Sequence, residues 1–266
     1  MKHLMIKDKE YQWHMVFNEL ALYLEFYEHL SFSAFRWISM GTKSIVGNID
    51  TYMFSSIKGT ISSINSILKD GRINDAYALL RKYHDSVIIN IYSNLYLKKE
   101  FSLSNFIVKQ IDDWVSGKDK LPEYRIMSKY IKDAYEVVEL TAIINSDNRY
   151  KEIRDRCNDH THYNFYKNAL LNDNEVHIPG RHNILNQFLK DLRDLFIFHL
   201  SYIFYIKDNY MMSSDYMDSL ECNCEPEEGS QYWVASFVQE IFITRITAYR
   251  PDIAELIKSN TSMQLM

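Results

Sequence analysis

Side chains that can move protons and bind phosphate are concentrated in residues 153–163, which read IRDRCNDHTHY. A histidine has a pKa near neutrality, so it accepts or donates a proton at physiological pH. An arginine guanidinium stays charged and pairs with two phosphate oxygens at once. One Arg and one His beside a phosphodiester are enough to cleave RNA, because the ribose 2′-OH is the nucleophile and no metal is needed.

The relative direction of Arg154 and His160 decides whether they can act together. Six positions along a continuous α-helix leave two side chains roughly 120° apart. They share a site only if the helix ends between them or if a second subunit completes the site. We expect the helix to end near residue 159, because residues 160–180 are rich in Asn, Asp and Tyr and end in a Pro-Gly pair. The same charges are also typical of a solvated helix end.

The elements that position these residues are predicted to be helical. The chain has only 7 Gly and 4 Pro, too few for the turns of an all-β fold. In residues 48–68 apolar side chains recur every three or four positions, as on one face of a helix, and Gly71 suits the left-handed C-cap that ends it. Further helices are predicted at residues 11–38, 74–98, 104–115, 123–144, 147–159, 183–206, 232–250 and 252–258, with an irregular segment at 208–230.

Composition narrows the class of protein. A net charge of −5 excludes a generally basic nucleic-acid coat protein, and a hydrophobic content of 47% excludes wholesale disorder. Three cysteines are too few for a disulfide framework, which favours a reducing compartment. Residues 1–13 do not resemble a signal peptide, and the most apolar run, residues 195–206, is shorter than the ~20 residues that span a bilayer. We therefore expect a cytoplasmic protein with no membrane partner.

The spacing of Arg154 and His160 resembles the R-x(4–6)-H motif of the HEPN superfamily. The apolar Ile153 before the arginine and the polar Asp155 after it fit that motif. The helices at 123–144 and 183–206 resemble the HEPN four-helix core. We therefore expect an all-α, HEPN-like helical bundle over residues 48–206, with additional helices in an N-terminal extension, 1–47, and a C-terminal extension, 207–266.

The HEPN resemblance implies a metal-independent endoribonuclease that uses no cofactor. Such proteins usually act as homodimers whose two motifs face each other, and many are toxins, abortive-infection factors or other antiphage effectors. Attack by the ribose 2′-OH implies a 2′,3′-cyclic phosphate and a 5′-hydroxyl as products. A protein partner that inhibits or activates the enzyme is a further expectation.

The resemblance also implies roles for individual residues. His160 would be the acid and base, and Arg154 would bind the phosphate. Asp155, Asn158 and His162 would support them. The same spacing occurs in Arg156 and His162, but Cys157 after Arg156 is not the polar follower that the superfamily favours. On this interpretation His160→Ala abolishes cleavage without unfolding the protein.

Weaker signals suggest further RNA contacts. The candidates are Arg156, Tyr163, Tyr166 and Arg181, the last near His177 and His182, with Phe165 beside the two tyrosines as a base-stacking surface. On the helix at 74–98, Arg81 and His84 lie one turn apart, either facing a shared groove or lying on a solvated helix face.

Two other classes of function remain open. In a noncatalytic helical module that binds RNA or protein, Arg154 and His160 would be buried in ion pairs, whereas a nuclease needs both to converge on an open cleft. A zinc-dependent hydrolase would use Cys157, His160 and His162 with Cys222 and Cys224, although the two groups are more than sixty residues apart.

Overall fold

The computed structural model describes residues 5–43, 47–173, 175, 178 and 180–266. These residues form an all-α protein with no β-strand and two isolated bridges, as the sequence predicts. The α-helices are α1 (Lys9–Gln12), α2 (Met15–Phe35), α3 (Ile49–Lys69), α4 (Ile73–Glu100), α5 (Lys109–Val115), α6 (Tyr124–Asp133), α7 (Val138–Ile144), α8 (Arg149–Thr161), α9 (Tyr166–Leu170), α10 (Arg181–Ile206), α11 (Ser214–Glu221), α12 (Ser236–Ile241) and α13 (Pro251–Asn260).

The chain forms two compact units, and each is assembled from separate stretches of sequence. Unit 1 comprises Met1–Glu28, Phe54–Val87 and Asp147–Phe196, and unit 2 comprises His29–Met53, Ile88–Ser146 and Ile197–Met266. This division cuts across the segments 1–47, 48–206 and 207–266 that the sequence suggests. Residues 153–163, which carry the candidate chemistry, all belong to unit 1.

Aromatic side chains fill the core of unit 1. Tyr23 on α2 stacks on Phe196 of α10 with ring centroids 3.7 Å apart, and the hydroxyls of Tyr27 and Tyr83 are 2.8 Å apart. The predicted apolar face of α3 is confirmed, because its side chains at every third or fourth position are fully buried. These residues are Ile57, Ile61, Ile64 and Leu68.

The end of α3 follows the sequence prediction. Gly71 adopts a left-handed backbone with φ of 80°. Its N–H donates to the Leu68 carbonyl at 2.9 Å, and the Arg72 N–H donates to the Ile67 carbonyl at 3.1 Å, which is the Schellman pattern. The turn leads directly into α4. The first part of α4, with Asn74, Tyr77 and Arg81, belongs to unit 1.

Four of the predicted segments differ from the structure. α8 continues to Thr161, because the His162 N–H still donates to the Asn158 carbonyl at 2.9 Å. The predicted loop 160–180 contains the short helix α9, and the irregular segment 208–230 contains α11. The predicted helix 123–144 is divided into α6 and α7, because Ala134 has an extended backbone with ψ of 119°.

Unit 2 encloses a buried polar network around Asp50 on α3. One carboxylate oxygen accepts hydrogen bonds from the side-chain amides of Asn90 at 2.6 Å and Asn94 at 2.8 Å. The other accepts one from the Tyr210 hydroxyl at 2.7 Å. Asn90 also contacts Nε2 of His199 at 2.9 Å. The carboxylate is 3% exposed, so it is held inside the protein by neutral donors.

Candidate functional site

One face of α8 packs against the core, and only side chains outside that face can contact a ligand. Ile153, Cys157 and His160 are all buried, and they are spaced four and three positions apart. That spacing is one face of a helix, so His160 belongs to the buried stripe of α8. Asp155 and His162 are exposed, and Arg154 is half-buried at the edge.

His160 is packed inside unit 1. Its Nδ1 is 2.9 Å from Oδ1 of Asn74, and its ring stacks on Tyr77 with centroids 4.0 Å apart. Only 8% of the residue is exposed. Burial lowers its pKa to about 4, although the Asp159 carboxylate acts in the opposite direction. The imidazole is therefore neutral at pH 7, and its Nδ1–H donates to the amide oxygen.

Arg154 takes part in a cluster of four side chains contributed by α4 and α8. Its Nη1 donates to Asp85 Oδ1 at 2.8 Å. Nε of Arg81 donates to the other oxygen of Asp85 at 3.1 Å, and Nη1 of Arg81 donates to Asn158 Oδ1. We call these four residues, Arg81, Asp85, Arg154 and Asn158, the guanidinium cluster. It sets two guanidinium groups against one carboxylate, which leaves a net charge of about +1.

The guanidinium cluster is partly open to solvent. The side chains of Arg81 and Arg154 are 22% and 18% exposed, and that of Asp85 is 38% exposed. The Asp85 carboxylate is more exposed than either guanidinium, so an anion that binds the two arginines has to share them with Asp85 or displace it. A phosphate oxygen is the acceptor that such a pair of guanidinium forks suits best.

Arg154 and His160 do not converge in the chain. α8 is continuous through both residues, so they point roughly 120° apart, one to the guanidinium cluster and one to Tyr77. The expected helix end between them is absent, which removes the geometry that would bring them together within one subunit. His162 lies only about 80° from Arg154, with Asn158 between them, so these three share one side of α8.

Arg156 forms an ion pair with Asp191 on α10. It points about 160° away from Arg154 and donates to both oxygens of Asp191 at 2.9 and 2.7 Å. Asp191 is 0% exposed and also accepts from Gln187 at 2.8 Å. The predictions of Arg156 as an RNA contact and of Arg156/His162 as the working pair conflict with this arrangement, because the arginine neutralises a buried carboxylate.

Arg181 is buried in unit 1. It is 1% exposed at the start of α10, and its Nη2 donates to the Asp173 carbonyl at 3.3 Å. The prediction that it contacts RNA conflicts with this burial. His177, its predicted neighbour, lies outside the described residues, whereas His182 contacts His14 with ring centroids 5.0 Å apart.

The aromatic residues after α8 are exposed, as an RNA contact requires. Tyr163, Phe165 and Tyr166 are 52%, 53% and 80% exposed. Tyr163 has a positive φ of 50°, which is uncommon for a residue with a bulky side chain. Lys167 lies 5.6 Å from the centre of the Phe165 ring and adds a positive charge to this surface.

The zinc hypothesis finds no ligand set in the described part of the chain. No three His, Cys, Asp or Glu side chains in these ranges are arranged to hold a metal ion. Cys157 is buried, and burial raises the pKa of its thiol to about 12. It therefore belongs to the core, as a small apolar residue would.

Sequence reasoning missed the contribution of α4. His84 is buried, so the Arg81 and His84 pair forms neither a solvated face nor an open groove. Arg81 instead contacts Asn158, 77 positions later in the chain. The spacing of four between Arg81 and Asp85 was visible as a helix ion pair, but the alignment of α4 beside α8 was not.

Comparison with known proteins supplies no relative. No protein-family model, curated protein or solved structure matches the chain. The described helices also include none that is long and apolar enough to cross a membrane. Any assignment of function therefore depends on the chemistry of α4 and α8.

Proposed function

We propose that this protein is an RNA-binding helical module that contacts RNA phosphates through the guanidinium cluster. The observation that carries the proposal is the shared bonding of Arg81 and Arg154 to Asp85 at a partly open surface. Two fixed guanidinium groups suit a phosphodiester backbone, whose contacts supply most of the affinity for nucleic acid. The burial of His160 favours this noncatalytic interpretation over cleavage by Arg154 and His160.

Binding through phosphates makes a specific prediction about salt. Each phosphate contact on a single strand changes the slope of log Kobs against log salt by about 0.7. Arg81→Ala and Arg154→Ala should each weaken RNA binding and make this slope shallower. The matched control is Arg125→Ala, which removes the same charge from an exposed position on α6.

The test is a titration of labelled single-stranded RNA by fluorescence anisotropy at several salt concentrations. Circular dichroism of each variant verifies that the helices are intact. Equal salt slopes for the wild type, Arg154→Ala and Arg125→Ala would refute the proposal, since the cluster would then contribute no phosphate contact beyond the effect of net charge.

One observation favours a second candidate, the metal-independent endoribonuclease. His162 is exposed and lies on the same side of α8 as Arg154 and Asn158, whereas His160 does not. In this scheme His162 accepts the proton of the ribose 2′-OH as that oxygen attacks phosphorus. The P–O5′ bond breaks, the departing oxygen takes a proton from water, and Arg154 stabilises the charge on the phosphoryl oxygens.

A cleavage assay separates the two candidates. Wild type and the variants Arg154→Ala, His162→Ala and Arg125→Ala are incubated with mixed RNA in excess chelator, and the 3′ ends are read by mass spectrometry. Cyclic phosphate ends from wild type and Arg125→Ala alone would support the nuclease. Binding without any cleavage would leave the RNA-binding module as the function.

The biological setting that the HEPN resemblance implies belongs to the second candidate. A nuclease of that superfamily would act as a homodimer in antiphage defence or as a toxin, restrained or triggered by a protein partner. Sedimentation of the chain with and without RNA tests the dimer directly. A monomer that cleaves RNA would contradict this part of the proposal.

A further inference from the structure

Three exposed aromatic residues follow α8 within four consecutive positions of the sequence. We call Tyr163, Phe165 and Tyr166 the aromatic platform. All three rings are more than half exposed, so their faces are open to a ligand that buries apolar area. The positive φ of Tyr163 adds local backbone strain.

The platform is held in place by hydrogen bonds to the end of α8. The Asn164 side-chain amide donates to Asp159 Oδ1 at 2.8 Å. The buried amide of Asn168 donates to the Asp159 carbonyl at 3.0 Å. The segment therefore has a defined position relative to Asp159, and the three rings are presented from an anchored turn.

The same segment is joined to the start of α4. The Ile73 N–H donates to the Leu171 carbonyl at 3.0 Å. Asn172 and Asp75 exchange two hydrogen bonds, at 3.1 and 2.7 Å. The platform is thus attached to both helices that carry the guanidinium cluster, and all of these contacts lie within unit 1.

We infer that the aromatic platform stacks unpaired bases of a single-stranded RNA whose phosphates are bound by the guanidinium cluster. This inference rests on the proposed function and adds the class of substrate to it. Base stacking requires exposed ring faces, and Lys167 beside Phe165 adds a cation next to the strand. His162 lies between α8 and the platform in the sequence.

Stacking on the platform predicts that the protein prefers single-stranded RNA to duplex RNA. In an A-form duplex the bases are already stacked and paired, so their faces cannot reach the platform. Single-stranded RNA should therefore bind more tightly than a duplex of the same sequence. Every base has a face that can stack on a ring, so we expect the platform to tolerate differences in base identity.

The test compares binding of a single-stranded RNA, its duplex, and the same strand with abasic positions. Tyr166→Ala should weaken binding of the single strand roughly five- to hundredfold. Tyr166→Phe keeps the ring and should retain wild-type affinity. The salt slope should stay unchanged in both variants, because no phosphate contact is lost. Quenching of 2-aminopurine in the strand reports stacking directly.

Each outcome has a definite meaning. Equal affinity of Tyr166→Ala and wild type, or equal binding of duplex and single strand, would overturn the inference. If Arg154→Ala still reduced the salt slope in that case, the proposed phosphate contact would stand while the stacking inference failed. A platform needed instead for self-association, seen as dimers lost in Tyr166→Ala, would also overturn it.

Discussion

The imidazole of His160 lies nearly parallel to the phenol ring of Tyr77, with ring planes 7° apart and centroids 4.0 Å apart. Nδ1 of the same imidazole contacts Asn74 Oδ1 at 2.9 Å. Both partners are on α4, so the histidine joins α8 to α4 inside unit 1. His160 therefore contributes ring stacking and one hydrogen bond to the core. Its removal should lower the free energy of unfolding.

We predict that His160→Ala lowers the free energy of unfolding by about 2–4 kcal/mol, because it leaves a cavity beside Tyr77 and an unpaired amide on Asn74. The sequence-based expectation, that this variant loses cleavage without unfolding, does not include this loss of stability. Urea denaturation followed by circular dichroism measures the change. His162→Ala, at an exposed position, should change stability by less than about 0.5 kcal/mol. Equal losses in the two variants would contradict the burial of His160.

The burial of His160 could have been recognised from its spacing. Ile153, Cys157 and His160 are spaced four and three positions apart, which is typical of a buried helix face. The catalytic interpretation of His160 did not take this spacing into account. The helices themselves were predictable, since amphipathic spacing depends on neighbours in sequence. The partners were not, because Asn74 is 86 positions from His160 and Asp85 is 69 positions from Arg154.

Stability should fall as the pH is lowered from neutrality. Burial lowers the pKa of His160 to about 4, and of His84 and His199 to about 3 each, below the usual value of 6.5. Between these values the unfolded chain binds protons that the folded chain does not, so stability rises with pH there. Each histidine contributes at most about 1.4 kcal/mol per pH unit, and it does so in the middle of that window, where the unfolded histidine is protonated and the folded one is not.

The pH prediction is checked by urea unfolding of wild type and His160→Gln at pH 7, 6 and 5. Glutamine does not titrate, so the variant should lose the contribution of one histidine and show a shallower dependence on pH. An identical dependence in the two proteins would mean that His160 titrates normally in the folded state.

Arg154 and Arg156 on α8 should differ sharply in their effect on stability. Arg156→Ala leaves the fully buried Asp191 without its cation, which typically costs 3–5 kcal/mol. Arg154→Ala leaves Asp85, which is 38% exposed and still contacts Arg81, so the loss should be below about 1 kcal/mol. Thermal or urea unfolding of both variants measures the contrast, and a larger loss for Arg154→Ala would reverse the assignment of the two faces.

Asp85 competes with phosphate for the guanidinium cluster. Its carboxylate accepts from both Arg81 and Arg154, so RNA must share or displace it. Asp85→Asn removes that charge and keeps a similar shape, and we expect RNA to bind several times more tightly at low salt, with the gain fading as salt screens the cluster. The matched control is Asp133→Asn, an exposed carboxylate in unit 2. Anisotropy titrations that give the same gain for both variants would show a general effect of net charge, and a gain confined to Asp85→Asn would place the phosphate at the cluster.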